Sequence, residues 1–110
     1  MKDAAFRHAA EGTWTSPEPG VTRKVLVYRD EMMMVEVAFE TGAVGALHSH
    51  PHVQSSYVAK GRLEVSIGDE TQVLGPGGSF IVAPNVVHGV RALEESLLID
   101  VFTPMRKEFV

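Results

Sequence analysis

Residues 42–61 read GAVGALHSHPHVQSSYVAKG, and the rest of the chain is organised around this stretch. His48, His50 and His52 stand two residues apart, and Gln54 follows two residues later. Side chains in a β-strand alternate between faces with a period of two. If the segment stays extended, His48, His50, His52 and Gln54 project to one side. Protonated imidazoles crowded on one face repel one another, whereas neutral imidazoles are the commonest metal ligands. A metal site is the simplest way to satisfy such a row. A further ligand must come from elsewhere, and His88, in VAPNVVHGV, is the other histidine deep in a strand-like region. A lone His-x-His carries little by itself, so the flanking pattern decides.

That pattern has the surroundings of a β protein. Lys24–Tyr28 reads as a short strand, and Met32–Glu40 alternates from Val35, with Val35, Val37 and Phe39 on one face. Met32, Met33 and Met34 are read as adaptable core filler, since soft copper ligands would be separated and partly exposed. Ser55–Ala59 carries Tyr57, Lys60-Gly61 is read as a hairpin turn, and Leu63, Val65 and Ile67 alternate with polar neighbours. Thr71–Leu74, Ser79–Val82, Val86–Arg91 and Leu97–Thr103 complete the strands, and Pro104 ends the last. Many short strands with frequent turns and almost no helical periodicity predict an all-β sandwich or barrel. Residues 1–20 are expected to form an N-terminal arm, rich in turn chemistry at Thr15–Gly20 and anchored by Trp14, with residues 21–110 as a single domain. His8 reads as a surface residue.

Composition narrows the function classes. The chain has 110 residues, 45% of them hydrophobic, and no cysteine, so disulfides and thiolate zinc sites are excluded. The net charge of −4 and the absence of a basic run argue against nucleic acid and anionic membrane as partners. No stretch reaches the roughly 18 apolar residues of a membrane span, and MKDAAFRHAAEGTW lacks the apolar region of a secretory signal. A cytoplasmic location is expected.

Asp100 lies within an otherwise apolar strand, Leu97–Phe102, and shares a face with Leu98 and Phe102 by parity. An ionised carboxylate there is costly unless paired or hydrogen-bonded. It is either an ion-pair partner of Arg91 or Arg106, or a general acid/base in the interior, where burial raises its pKa toward neutrality. Arg106 follows the strand and is either a solvated tail residue or a bidentate clamp for a substrate carboxylate.

Gly42, five residues, His48-Ser49-His50, three residues, Gln54, six residues and Gly61 resemble the first motif of the cupins, with Gln in place of the usual Glu. Gly77, five residues and Ala83-Pro84-Asn85-Val86-Val87-His88 resemble the second, with Ala83, Asn85 and Ala92 replacing the usual Pro, Gly and Asn. The resemblance implies a single-domain cupin jelly-roll β-barrel with a metal held by His48, His50, Gln54 and His88. None of these ligands is charged, so the site keeps the metal's full charge and suits an anionic oxygen. It leaves Ni, Mn, Fe and Zn open as the divalent transition metal. His52, after Pro51, is expected near the substrate rather than on the metal.

HSHPHVQSSYV, PNVVHGV and IDVFTPMRKEF together resemble the small cupins of pectin and alginate breakdown, which open the ring of 4,5-unsaturated uronate monosaccharides to linear keto-uronates. That likeness implicates Asp100, Phe102 and Arg106 in activity. Asp100 and Arg106 are expected in catalysis, and Arg106, Phe102, His52 and Tyr57 in binding a small anionic sugar acid. The likeness also implies a homodimer. Val53 and Ala83 depart from this group's frequent acidic residue and proline, which leaves room for a shifted substrate. The alternatives are a metal-dependent dioxygenase or isomerase of another small keto or sugar acid, and a non-catalytic sugar-acid binding cupin.

Overall fold

The computed structural model describes residues 5–110. The ten strands are β1 (Thr15–Glu18), β2 (Val21–Arg29), β3 (Met32–Phe39), β4 (Val44–His48), β5 (Val53–Lys60), β6 (Leu63–Ile67), β7 (Glu70–Leu74), β8 (Ser79–Val82), β9 (His88–Ala92) and β10 (Ser96–Thr103). The one helical element among the described residues is a 3₁₀ turn, Lys107–Phe109. The strands form a six-stranded sheet, β1-β2-β3-β10-β5-β8, facing a four-stranded sheet, β4-β9-β6-β7. Every pairing is antiparallel. This is the all-β architecture that the alternating pattern predicts.

The alternation sets the core. Val21 of β2, Phe39 of β3, Val58 of β5, Leu63 and Val65 of β6 and Leu98 of β10 form one buried cluster between the sheets. Full burial of such a side chain is worth roughly 1.5–3 kcal/mol. A second cluster, Met33, Val35, Phe102 and Met105, fills the end of the sandwich below the C-terminal segment. The methionine run is divided by strand parity: Met33 is fully buried, while Met32 and Met34 are 53% and 37% exposed. Only Met33 therefore acts as the core filler expected of all three.

Two local readings are corrected. Thr15–Glu18 is an edge strand of the larger sheet rather than loop. Pro17 is tolerated because an edge strand leaves one row of N–H groups unused, and the β1–β2 register is irregular there. Gly61 does not close a hairpin, because β5 pairs with β10 and β8 whereas β6 pairs with β9 and β7. Its φ of 88° turns the chain from one sheet to the other. The turn packs so closely that a Cβ there would strike Ser96 Oγ and the Glu95 carbonyl. Trp14 rests beside Lys24, whose Nζ lies 5.3 Å from the indole ring and donates to the Ala9 carbonyl at 2.7 Å. No helix among the described residues is long and apolar enough to cross a membrane.

Candidate metal centre and ligand cavity

The histidines do not share one strand. β4 ends at His48 and β5 begins at Val53, so His50 and His52 lie in the bend around Pro51. Three features bring the ligand candidates back together. His48 sits opposite His88 across the β4–β9 ladder. The bend is tied down by the Asn85 N–H, which donates to the His50 carbonyl at 2.7 Å. Asn85 has a φ of 66°, a left-handed conformation that asparagine tolerates better than most residues, which accounts for its standing in for glycine. Gln54, the second residue of β5, points inward and is buried.

His48, His50 and His88 offer ligand atoms that all lie within 4.8 Å of one another. Each ring has its Nδ1 facing a backbone carbonyl: Ala46 at 2.8 Å for His48, His52 at 3.1 Å for His50 and Val86 at 2.9 Å for His88. A carbonyl can only accept, so Nδ1 carries the proton and Nε2 presents its lone pair. Burial lowers the pKa of His50 and of His88 against the opposing pull of their hydrogen bonds, and the neighbouring histidines and Arg106 push it down further. Both rings are thus held in the neutral, ligating form.

Gln54 completes the arrangement. Its Nε2 donates to Ser56 Oγ at 3.0 Å and to Asp100 Oδ1 at 3.4 Å, and Ser56 Oγ in turn donates to Asp100. A carboxylate behind the amide fixes which way it faces. Oε1 therefore points at the histidines, 3.0 Å from His50 Nε2 and 3.2 Å from His88 Nε2. Acceptors face acceptors with no proton between them. A cation is the species that resolves this contact, so the donor set fits a metal ion.

Asp100 is neither exposed nor paired with Arg91, which instead meets Glu64 at 3.3 Å. Its partners are Ser56 and Gln54, and burial pushes its pKa up to about 6 against the opposing pull of those hydrogen bonds and of Arg106. Arg106 is no solvated tail residue, since its side chain is only 11% exposed. Its guanidinium lies 5.0 Å from the Phe102 ring centroid and 4.5 Å from that of Phe109, and Nε donates to Glu108 at 2.8 Å.

These groups share a cavity of about 280 Å³, lined by His48, Gln54, His88, Asp100, Phe102 and Arg106 among others. That is the small end of the range for ligand pockets, roughly 300–1,000 Å³. Besides His50, which is buried and meets Gln54 without lining the cavity, two sequence-based assignments do not join them. Tyr57 has the opposite parity to Gln54 and Ser56, so it stands half exposed on the outer face of the larger sheet. His52 turns away after Pro51: its Nε2 donates to the Met105 carbonyl at 3.1 Å, and it braces the C-terminal segment instead of lining the cavity. Arg23 and Phe109, which line the cavity, were not singled out by the sequence. Arg23 had a signal, because it sits between Val21 and Val25 in the inward row of β2, but the alternation reads clearly only from Lys24 onward.

Comparison with known proteins agrees with this geometry. The Cupin domain family matches residues 35–102. The pectin degradation protein KdgF of Dickeya dadantii (strain 3937) is 42% identical over 102 residues, covering 91% of this chain and 93% of that protein. The structure of KdgF from a Halomonas species superposes with a TM-score of 0.92 at 38% identity, covering 97% of this chain and 99% of the other. An RmlC-like cupin from Shewanella frigidimarina NCIMB 400 gives a TM-score of 0.95 at 35% identity over 99% and 98% of the two chains. With its two facing antiparallel sheets and its convergent histidines, the chain belongs to the cupin family.

Proposed function

We propose that this cupin opens the ring of 4,5-unsaturated uronate monosaccharides, giving linear keto-uronates in pectin or alginate catabolism. The observation that carries the reading is the joint presence, in one small cavity, of a neutral His/Gln donor set, a buried carboxyl and a near-buried arginine. The likeness to KdgF, named as a pectin degradation protein, supports the substrate class.

His48, His50, His88 and Gln54 would hold one divalent transition metal. When bound, that ion supplies Lewis acidity toward a sugar oxygen. The reaction is an isomerisation. The bond between C1 and the ring oxygen breaks, the anomeric hydroxyl loses its proton as C1 becomes an aldehyde, and the released enol takes a proton at C4 to become a ketone. One proton leaves and one returns, so neither water nor an oxidant is consumed. Asp100, with its pKa raised to about 6 by burial, can accept and return a proton near neutrality. Ser56 and Gln54 hold its carboxylate in place. Phe102 offers its ring to the apolar face of the sugar, and Arg106 presents a guanidinium to the uronate carboxylate. The proposal includes a cytoplasmic homodimer. The dimer is supported by Met34, Tyr57 and Ile81, exposed together on the outer face of the larger sheet.

The test is product analysis by NMR with metal-loaded wild type and Asp100→Asn. The proposal expects the linear keto-uronate from wild type, no oxygen uptake, and a loss of at least 100-fold in the folded, metal-replete variant, roughly the scale of one general acid/base. Full activity in Asp100→Asn removes that residue's role. Oxygen consumption would point to a dioxygenase, and uronate binding without turnover to a binding module.

A further inference from the structure

The cavity holds a cation that ring opening, as proposed, does not use. Arg23 lies in the inward row of β2, between Val21 and Val25, and opposite Val37 in the β2–β3 ladder. An arginine in an apolar row needs a reason. Its guanidinium is 3.7 Å from the centroid of the Phe109 ring, the same ring that Arg106 approaches at 4.5 Å. Phe109 in turn stands edge-on to Phe102 at 5.8 Å. Two arginines and two phenylalanines thus form one wall of the cavity whose lining also includes His48, Gln54, His88 and Asp100.

The charge balance of that wall is incomplete. Glu108 caps Arg106 through Nε. Among the described residues, Arg23 has no hydrogen bond or ion pair from its side chain, and its one cation–ring contact is with Phe109. Burial and the like charge of Arg106 both disfavour the protonated form of Arg23, while Glu108 favours it from a distance. Arginine stays charged nonetheless. A guanidinium that is partly desolvated, set beside a second one and lacking an acid of its own, has hydrogen-bond donors to spare for an anion entering the cavity. The ring of Phe109 fixes its direction without using those donors.

We propose that Arg23 is a second carboxylate-binding residue of this site, acting together with Arg106 and oriented by Phe109 from the C-terminal turn. The inference rests on the uronate reading for the identity of the ligand, and it adds a determinant of specificity: the cavity selects acidic sugars over neutral ones of the same shape through two guanidiniums. A carboxylate has two oxygens and about four lone-pair sites, enough to engage both.

The test measures equilibrium binding by ligand-observed NMR on the metal-loaded full chain, with galacturonate and galactose as probes. They are saturated sugars, so turnover does not enter. Wild type is expected to favour galacturonate. Arg23→Gln should weaken galacturonate by about tenfold, the size of one charge-assisted hydrogen bond, and leave galactose unchanged. Arg23→Lys, which keeps the charge without the planar fork, should recover part of the loss and guards against a folding defect in the glutamine variant. Selective wild type with Arg23→Gln binding galacturonate equally well overturns the role of Arg23 alone. Equal binding of both sugars by wild type overturns the role of Arg23 and the uronate reading together. Equal weakening of both sugars assigns Arg23 to cavity shape and also overturns the proposal.

Discussion

Replacing Gln54 by glutamate tests the wiring of the centre. In the native site the amide N–H₂ of Gln54 faces Asp100 Oδ1 at 3.4 Å and its carbonyl faces the histidines. Gln54→Glu puts an oxygen where that donor stood, so two carboxyl groups meet in a buried place. Two unit charges 3.4 Å apart repel by about 5 kcal/mol at an effective dielectric constant near 20. The escape is to keep one proton on the pair, which costs about 1.4 kcal/mol for every pH unit above the ordinary glutamate pKa of about 4.3. The penalty is therefore about 5 kcal/mol at pH 8 and about 1.6 kcal/mol at pH 5.5. The sign follows from linkage. The folded pair binds its proton more tightly than the unfolded chain does, so stability is lost as pH rises through the raised pKa.

The assay is urea unfolding of metal-stripped wild type, Gln54→Glu, Asp100→Asn and the double variant at both pH values. The single glutamate variant should lose roughly 3 kcal/mol more than wild type between pH 5.5 and pH 8. Adding Asp100→Asn should restore most of it, because the asparagine amide can donate to the carboxylate introduced at position 54. A glutamate variant as stable as wild type at pH 8, or one that Asp100→Asn does not rescue, would refute the orientation of Gln54 and with it the inward-facing carbonyl.

Further outcomes follow from the same structure. In metal-stripped wild type, burial raises the Asp100 pKa from 3.8 to about 6, so the stability that the neutral form provides below pH 3.8 should decline by about 3 kcal/mol as pH rises past 6. Asp100→Asn should abolish that part of the slope in urea titrations, and an unchanged slope would contradict it. Gly61→Ala combines a positive φ with a clash against Ser96 and Glu95, and should cost roughly 2–5 kcal/mol of unfolding free energy. A loss under about 1 kcal/mol would show that the corner can move. Arg91→Ala removes only the ion pair with Glu64, whose side chains are 51% and 36% exposed, and should change stability by no more than about 0.5 kcal/mol.

Much of the fold was legible because inward and outward residues alternate cleanly where one sheet face is buried and the other wet. β3, β6 and β10 were readable on that basis, and so was the burial of Asp100 beside Leu98 and Phe102. Sheet membership was not. The Lys60-Gly61 turn looks like a hairpin in sequence, and only the partners of β5 and β6 reveal a crossing between sheets. At the site, spacing and resemblance pick out His48, His50, Gln54 and His88, and the structure gathers the three histidines with Gln54 Oε1 facing two of them. His50 reaches the centre from a bend and not from a continuous strand. The same bend removes His52 from the cavity, and Tyr57 is lost to parity. Arg23 and Phe109 are distant in sequence from the histidines and meet them only through the packing of β2 and the C-terminal turn, a contact no local pattern encodes.

The most direct measurement is turnover of unsaturated galacturonate prepared by complete digestion of pectate, followed as loss of the enol-ether absorbance in the ultraviolet. Metal-loaded and chelator-stripped protein are compared with the spontaneous rate. The ring-opening account predicts acceleration by the loaded protein, its loss on stripping and its return when metal is restored. A loaded, folded protein that leaves the spontaneous rate unchanged would contradict the proposed activity.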